Sequence, residues 1–320
     1  MGKPTVLVTR RIPQDGLNLL ASHFSLDTND DDRPYPPEEL ARRAADKDAL
    51  VTLLTDKVDD ALLAAAPRVK IVANVAVGYD NIDLEACRKR GVTVTNTPGV
   101  LTAATADFAF TLLLAAARRI CEADRFVRAG RFRGWQMMGF HGGDLEGRTL
   151  GIAGFGRIGQ AVAKRAGGFG MHVIYSDEAR AQNSIEEAFG ARYVDKATLI
   201  ATSDYLSLHV PYLPATHHYI GAAELEAMKP TAYLINTSRG AVIDEAALAN
   251  ALRTGGIRGA GLDVFEDEPA VHPELIRLDN VVLAPHIASA TVETRTRMAL
   301  IAAENVIAAL SGKAAPNALN

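Results

Sequence analysis

Residues 149–166, TLGIAGFGRIGQAVAKRA, narrow the fold more than any other stretch of this chain. A short apolar run leads into Gly154, Gly156 and Gly159 in the spacing G-x-G-x-x-G, and an Ala-rich helical run follows. In a strand–turn–helix unit, Gly154 permits the tight turn, Gly156 lets backbone amides approach a pyrophosphate, and Gly159 lets helix and strand pack closely. The helix N-terminus offers an anion unpaired N–H groups and the positive end of the helix dipole. Alone, the spacing is weak in a chain with 26 glycines. What strengthens it is the next apolar run, HVIYSD, which ends at Asp177, near the ~20 residues at which a ribose-binding acid is expected. A carboxylate there accepts hydrogen bonds from the adenosine 2′-OH and repels a 2′-phosphate, so NAD(H) is the favoured cofactor. Arg180 keeps NADP(H) open, because an arginine close by accommodates that phosphate.

From 149 onward the chain alternates strand and helix. TLGIAGFG, HVIYSD, YLSLHV, AYLINTS, GAGLDVF and VVLAPH read as six short apolar strands, with a helix after the first and helices over 182–189, 222–228 and 244–253 among the rest. That pattern predicts a doubly wound parallel sheet. The first hundred residues alternate too. TVLVT, ALVTLL, KIVANV and VTVTN are rich in β-branched residues, and Ala/Leu-rich stretches lie at 37–45, 59–66 and 83–90. A single long helix is expected over about 102–130, followed by an irregular Gly-rich excursion over 131–144. The segment 291–310 has amphipathic helical spacing and follows the sixth strand, so its return to the first domain is expected. The expected fold class is α/β, with two Rossmann-like doubly wound parallel-sheet domains and a discontinuous substrate domain. Its boundaries are 1–101 with 291–320 for a substrate-binding lid domain and 102–290 for an NAD-binding domain.

Bulk properties limit the partners. With 320 residues, 22% charged and a formal net charge of −4, the chain gives no electrostatic reason to expect nucleic acid or an anionic membrane. Cys87 and Cys121 are too few for a disulfide framework and too far apart for a CxxC metal or redox motif, so no metal and a cytoplasmic location are expected. The opening MGKPTVLVTRRIP lacks a charged-then-apolar signal pattern, and runs such as AFTLLLAAA are too short to span a membrane.

Chemistry beside a nicotinamide belongs on loops at the carboxyl ends of the strands. Three such loops carry suitable groups. INTSRGAVID places Arg239 after a strand, GLDVFEDEP packs Asp263, Glu266, Asp267 and Glu268 after another, and VVLAPHIASAT places His286 after a third. Singly, each has a plain structural explanation: a surface arginine, a solvated acidic turn, a hydrogen-bonding histidine. Their coincidence at successive strand ends makes a reacting centre the better reading.

Several segments in order, NVAVGYDNIDLEAC, VTNTPGVLTAATADFAFTLLLAAAR, GRTLGIAGFGRIGQAVAKRA, LINTSRGAVIDEAAL, GAGLDVFEDEP and LDNVVLAPHIASAT, resemble signatures of the D-isomer-specific 2-hydroxyacid dehydrogenases, glyoxylate/hydroxypyruvate reductase branch. The resemblance runs nearly end to end. Ala288 stands where glycine is common in the family, and Ala153 and Phe155 replace other apolar residues; none of these removes a chemical group.

The resemblance implies roles. Arg239 binds the substrate carboxylate and polarises the C2 carbonyl, with a planar guanidinium suited to two parallel hydrogen bonds. His286 is the general acid in reduction and the general base in reverse. Glu268, rather than Glu266, is its paired acid and favours the imidazolium. Leu53, Val77 and Gly78 belong to the substrate site with Arg239 and His286, which implies an interdomain cleft. Thr105, Arg157, Ile158, Val210, Thr237, Ser238, Asp263 and Ser289 join Gly154, Gly156, Gly159 and Asp177 around the cofactor. The implied reaction is NAD(P)H-dependent reduction of a small 2-oxo acid to the D-2-hydroxy acid by a homodimer, with Trp135 in a loop that helps form the dimer. Alternatives are a 2-ketogluconate reductase, a 3-phosphoglycerate dehydrogenase, or a non-enzymatic NAD-sensing corepressor-like protein.

Overall fold

A computed structural model describes residues 2–320, which divide into two compact units. The first takes the chain up to Leu101 together with Ala290–Asn320, and the second is Thr102–Ser289.

In the first unit β1 (Thr5–Val8), α1 (Gln14–His23), β2 (Ser25–Thr28), α2 (Pro37–Ala44), β3 (Ala49–Thr52), α3 (Asp60–Ala65), β4 (Ile71–Asn74), α4 (Leu84–Lys89) and β5 (Thr93–Thr95) follow one another. The five strands are parallel in the order β2-β1-β3-β4-β5. Every residue of β3 and β4 is buried, as expected when helices cover both faces of a parallel sheet. One face packs Val8, Val51 and Ala73 against Ala299, Ala302 and Val306 of the C-terminal helix, Val292–Leu310. Its N-cap is Thr291, whose side chain accepts from Thr294 N. This helix closes the layer against α1.

The second unit begins with α5 (Thr102–Ala117) and α6 (Ile120–Arg128). β6 (Thr149–Ala153), α7 (Arg157–Gly168), β7 (His172–Ser176), α8 (Asn183–Phe189), β8 (Ala191–Tyr193), α9 (Lys196–Thr202) and β9 (Tyr205–Leu208) follow. Then come α10 (Ala222–Ala227), β10 (Tyr233–Asn236), α11 (Glu245–Thr254), β11 (Gly259–Leu262), α12 (Pro273–Arg277) and β12 (Val281–Leu283). The parallel order β12-β11-β10-β9-β6-β7-β8 reverses direction between β6 and β9, which marks a topological switch point. Leu206, Leu234 and Leu262 lie in the core on one face, and Leu150, Ile152 and Ile235 in the core on the other. No helix among the described residues is long and apolar enough to cross a membrane.

Two parallel-sheet α/β units match the expected fold class. Three local expectations are corrected. The sheet of the second unit has seven strands rather than six; the added β8, Ala-Arg-Tyr, is a short edge strand without an apolar run. Similarly, β2 is an edge strand of the first sheet whose residues are partly or fully exposed, so it carries little hydrophobic signal. The helix expected over 102–130 is two helices. Arg119 adopts φ 54, its guanidinium pairs with Glu122 at 2.8 Å, and it lies over the Phe140 ring. Ala117 O accepts from Gly143 N at 2.9 Å, so the excursion after α6 takes up a carbonyl that a continuing helix would use.

Candidate active site

The turn from β6 into α7 is closed on one side. Gly154 has φ +88, and a Cβ there would meet the backbone of His209 and Val210 at 2.7 Å, so only glycine fits. A Cβ on Gly159 would lie 2.2 Å from Gly154 O, the close strand–helix approach expected of it. Gly156 is different: it is exposed, and a Cβ there meets nothing within 4 Å. It is also the N-cap of α7, where no side chain bonds to the N–H groups of the first turn, which Arg157 and Ile158 open. The residues therefore form an open, donor-rich cradle with the shape and polarity a pyrophosphate requires.

Asp177 follows β7. Its carboxylate accepts from Phe155 N and Glu178 N, both at 2.7 Å, which ties the acid to the glycine turn. Arg180 is engaged elsewhere: Nε and Nη2 reach the two carboxylate oxygens of Glu186 at 2.9 and 2.7 Å. Tyr175 Oη also donates to Glu186, at 2.7 Å. The Arg180 and Tyr175 bonds hold the Glu186 carboxyl down at about 2. Thr105 is buried on α5, which packs against α7, and Val210 follows β9 beside the Gly154 turn. At the end of β10, Thr237 Oγ1 is buried with no hydrogen-bond partner. An orphan hydroxyl is costly unless a polar ligand meets it, and it agrees with a cofactor contact.

Arg239 follows in the same loop. Asn236 is fully buried; its Nδ2 donates to Arg239 O at 2.9 Å, while its Oδ1 accepts from Ser238 N at 3.0 Å and Ser238 Oγ at 2.8 Å. Gly240 then allows an approach no other residue permits: a Cβ would lie 1.8 Å from the carbonyl carbon of Phe265. The Arg239 loop is thus seated on the loop that carries Glu268.

That loop sorts its carboxylates by partner. Asp263 is fully buried, and its oxygens accept from Ile287 N at 2.7 Å and Ala288 N at 2.8 Å. Burial pushes its carboxyl up, and the two N–H bonds oppose the rise. Glu268 Oε1 accepts from Phe265 N at 3.0 Å, and Oε2 lies 2.9 Å from His286 Nδ1. Burial would raise the Glu268 carboxyl, but its hydrogen bond to His286 and the charges of His286 and Arg239 outweigh it and leave the group below its ordinary value. Glu266 faces a second histidine, His218, at 2.8 Å from Nε2. His286 itself stands at φ 54 directly after β12, with its N–H bonded to Asp263 O at 2.8 Å. Ser289 is half-buried at the end of the same loop.

The structure thus brings His286, Glu268 and Asp263 into direct contact and seats the Arg239 loop against them. Asn236 and Glu245 were missed by sequence reasoning. Glu245 Oε1 accepts from Glu266 N at 2.8 Å and so holds the Glu268 loop from α11. A polar residue ending an apolar strand, as Asn236 does in YLIN, is the signal that marks such an anchor.

In the first unit, Leu53, Val77 and Gly78 lie on ordered loops. Asp56 Oδ2 accepts from Leu53 N at 2.8 Å, and Asn81 Nδ2 donates to Leu53 O at 3.1 Å. Asn96 Nδ2 donates to Val77 O and Asn74 Nδ2 to Gly78 O, at 2.8 and 2.9 Å, which fixes the peptide planes of that turn.

Residues 110–288 match the model of the NAD-binding domain of D-isomer specific 2-hydroxyacid dehydrogenases, more than half of the chain. The chain belongs to that family. It is an oxidoreductase that works with a nicotinamide cofactor. Glyoxylate reductase of Thermococcus litoralis is 55% identical over 322 residues, covering 99% of this chain and 97% of the relative. That of Korarchaeum cryptofilum is 54% identical, covering 99% and 96%. Among solved structures, the NADPH-dependent glyoxylate/hydroxypyruvate reductase of Sinorhizobium meliloti, in complex with NADP and malonate, is 35% identical with a TM-score of 0.89, covering 99% and 97%.

Proposed function

We propose that this dehydrogenase reduces glyoxylate and hydroxypyruvate, giving glycolate and D-glycerate, with His286 as proton donor. The observation that carries the reading is the 2.9 Å contact between His286 Nδ1 and Glu268 Oε2. With Nδ1 turned to the carboxylate, Nε2 is the nitrogen left for the substrate. Held by the Gly154–Gly159 turn and Asp177, a nicotinamide cofactor would supply the hydride for C2. His286 gives its Nε2 proton to the carbonyl oxygen, completing the alcohol. Arg239 holds the substrate carboxylate through its planar guanidinium and draws charge from the carbonyl. Leu53, Val77 and Gly78 bind substrate in this reading, supported by the fixed peptide planes of their loops.

The preferred cofactor is NAD(H). Asp177 at the ribose position and the engagement of Arg180 by Glu186 support this, since a 2′-phosphate meets a carboxylate there without a ready guanidinium. Thr105, Arg157, Ile158, Val210, Thr237, Ser238, Asp263 and Ser289 complete the cofactor site. A homodimer is supported by an exposed apolar stretch after α6, in which Trp135 and Met138 are each 79% exposed and Phe132 60%. The free thiols of Cys87 and Cys121 agree with a cytoplasmic protein.

The test is absorbance loss of NADH with a panel of 2-oxo acids. Glyoxylate and hydroxypyruvate are expected to give the highest kcat/KM; a clear preference for bulky or phosphorylated 2-oxo acids, or no turnover, would overturn the reading.

A further inference from the structure

We propose that His217, His218 and Glu266 form a binding site for a borderline divalent cation, with Zn²⁺ the best match. One ligand atom from each of the three lies within 4.8 Å of the others. They come from two loops, one after β9 and one after β11, and include none of Arg239, Glu268 or His286, so the proposal is independent of the reduction assigned above.

Local backbone geometry makes the cluster. Adjacent side chains on an extended chain point to opposite sides. His218 instead has φ 49, and the two imidazoles stack with centroids 4.0 Å apart and planes at 20°. The rings lie nearly parallel, so their in-plane lone pairs do not meet at one point until His217 turns out of the stack. Two restraints set the positions of the partners: His218 N donates to Ala241 O at 2.8 Å, and Glu266 N to Glu245 Oε1 at 2.8 Å. His218 Nε2 and Glu266 Oε1 already sit 2.8 Å apart. Ligands at about 2.0–2.2 Å around a tetrahedral ion lie roughly 3.3–3.5 Å from one another. Reaching that spacing requires the His218–Glu266 pair to open and exposed His217 to turn out of its stack on His218. His217 surrenders its stack on His218 and a 3.5 Å approach of its Nδ1 to Tyr212 Oη.

The chemistry selects the ion. Two neutral imidazoles and one carboxylate are a common three-residue ligand set for zinc, with water in the fourth position. Ca²⁺ and Mg²⁺ prefer more oxygen donors than this site holds.

The experiment is calorimetric titration of the full chain with ZnCl₂ at about pH 7.5, since imidazole binds a metal through a deprotonated nitrogen. Wild type is expected to take up one equivalent saturably. His217→Ala and Glu266→Gln are each expected to weaken that uptake by at least about tenfold, as loss of a ligand requires. His141→Ala, a surface control, leaves it unchanged. Circular dichroism confirms folding of each variant, and if Glu266→Gln does not fold, His217→Ala alone decides. No saturable uptake by wild type, or uptake by a folded variant within about tenfold of wild type, overturns the proposal and leaves His218–Glu266 as a hydrogen-bonded pair only.

Discussion

At the scale of single residues, one histidine and one carboxylate divide the work. Glu268 spends one oxygen on Phe265 N and the other on His286, so it orients the ring. The carboxyl is held below its ordinary value against the opposing effect of burial. A carboxyl held low keeps its charge to below the ordinary carboxylate range, so reductase activity that depends on that charge is expected to fall only as the pH drops through this lower range. Glu268→Gln removes the charge, and is expected to lower kcat/KM for glyoxylate and to abolish that acid limb. A pH–rate profile of kcat/KM measures both, and an unchanged rate and limb refute the pairing. Asp177→Ala makes a second residue-scale prediction. The ratio of kcat/KM with NADH to that with NADPH is expected to fall, and an unchanged ratio removes Asp177 from cofactor choice.

Elements hold these residues by tight backbone approach more than by side-chain contact. Gly240 is the clearest case, because any Cβ meets the Phe265–Glu266 backbone. Gly240→Ala is expected to cost about 1–3 kcal/mol of stability, read as a melting temperature lower by several degrees. It is also expected to reduce turnover, because the Arg239 and Glu268 loops separate; an unchanged melting temperature and turnover would contradict this. What could be read beforehand follows the same division. Strands β6, β7, β9, β10 and β11 are buried in the sheet interior, announce themselves as apolar runs, and carry the glycine turn, Asp177, Arg239 and Glu268 at their ends. Edge strands β2 and β8 are short or exposed and give no such run. The break between α5 and α6 is set by Gly143 reaching back to Ala117, a contact between distant residues that helical periodicity does not encode. For the same reason the bond from Asn236 to Arg239 and the brace from Glu245 to Glu266 were invisible, whereas the placement of His286 after a strand was not.

For the whole molecule, each unit is a parallel sheet covered on both faces, and the second has its switch point between β6 and β9, where the Gly154 turn lies. The apolar surface around Trp135 is expected to pair two copies. Light scattering after size exclusion should give twice the 34.1 kDa chain mass, and Trp135→Glu with Met138→Glu should return a monomer. A wild-type monomer would contradict this. Reduction requires His286 to deliver the proton. The decisive measurement pairs NADH binding, followed by its fluorescence, with steady-state glyoxylate reduction in His286→Ala. His286→Ala is expected to bind NADH with affinity close to wild type and to turn over about 10²–10⁴-fold more slowly; a variant that binds NADH and still reduces glyoxylate at near the wild-type rate would contradict proton delivery by His286.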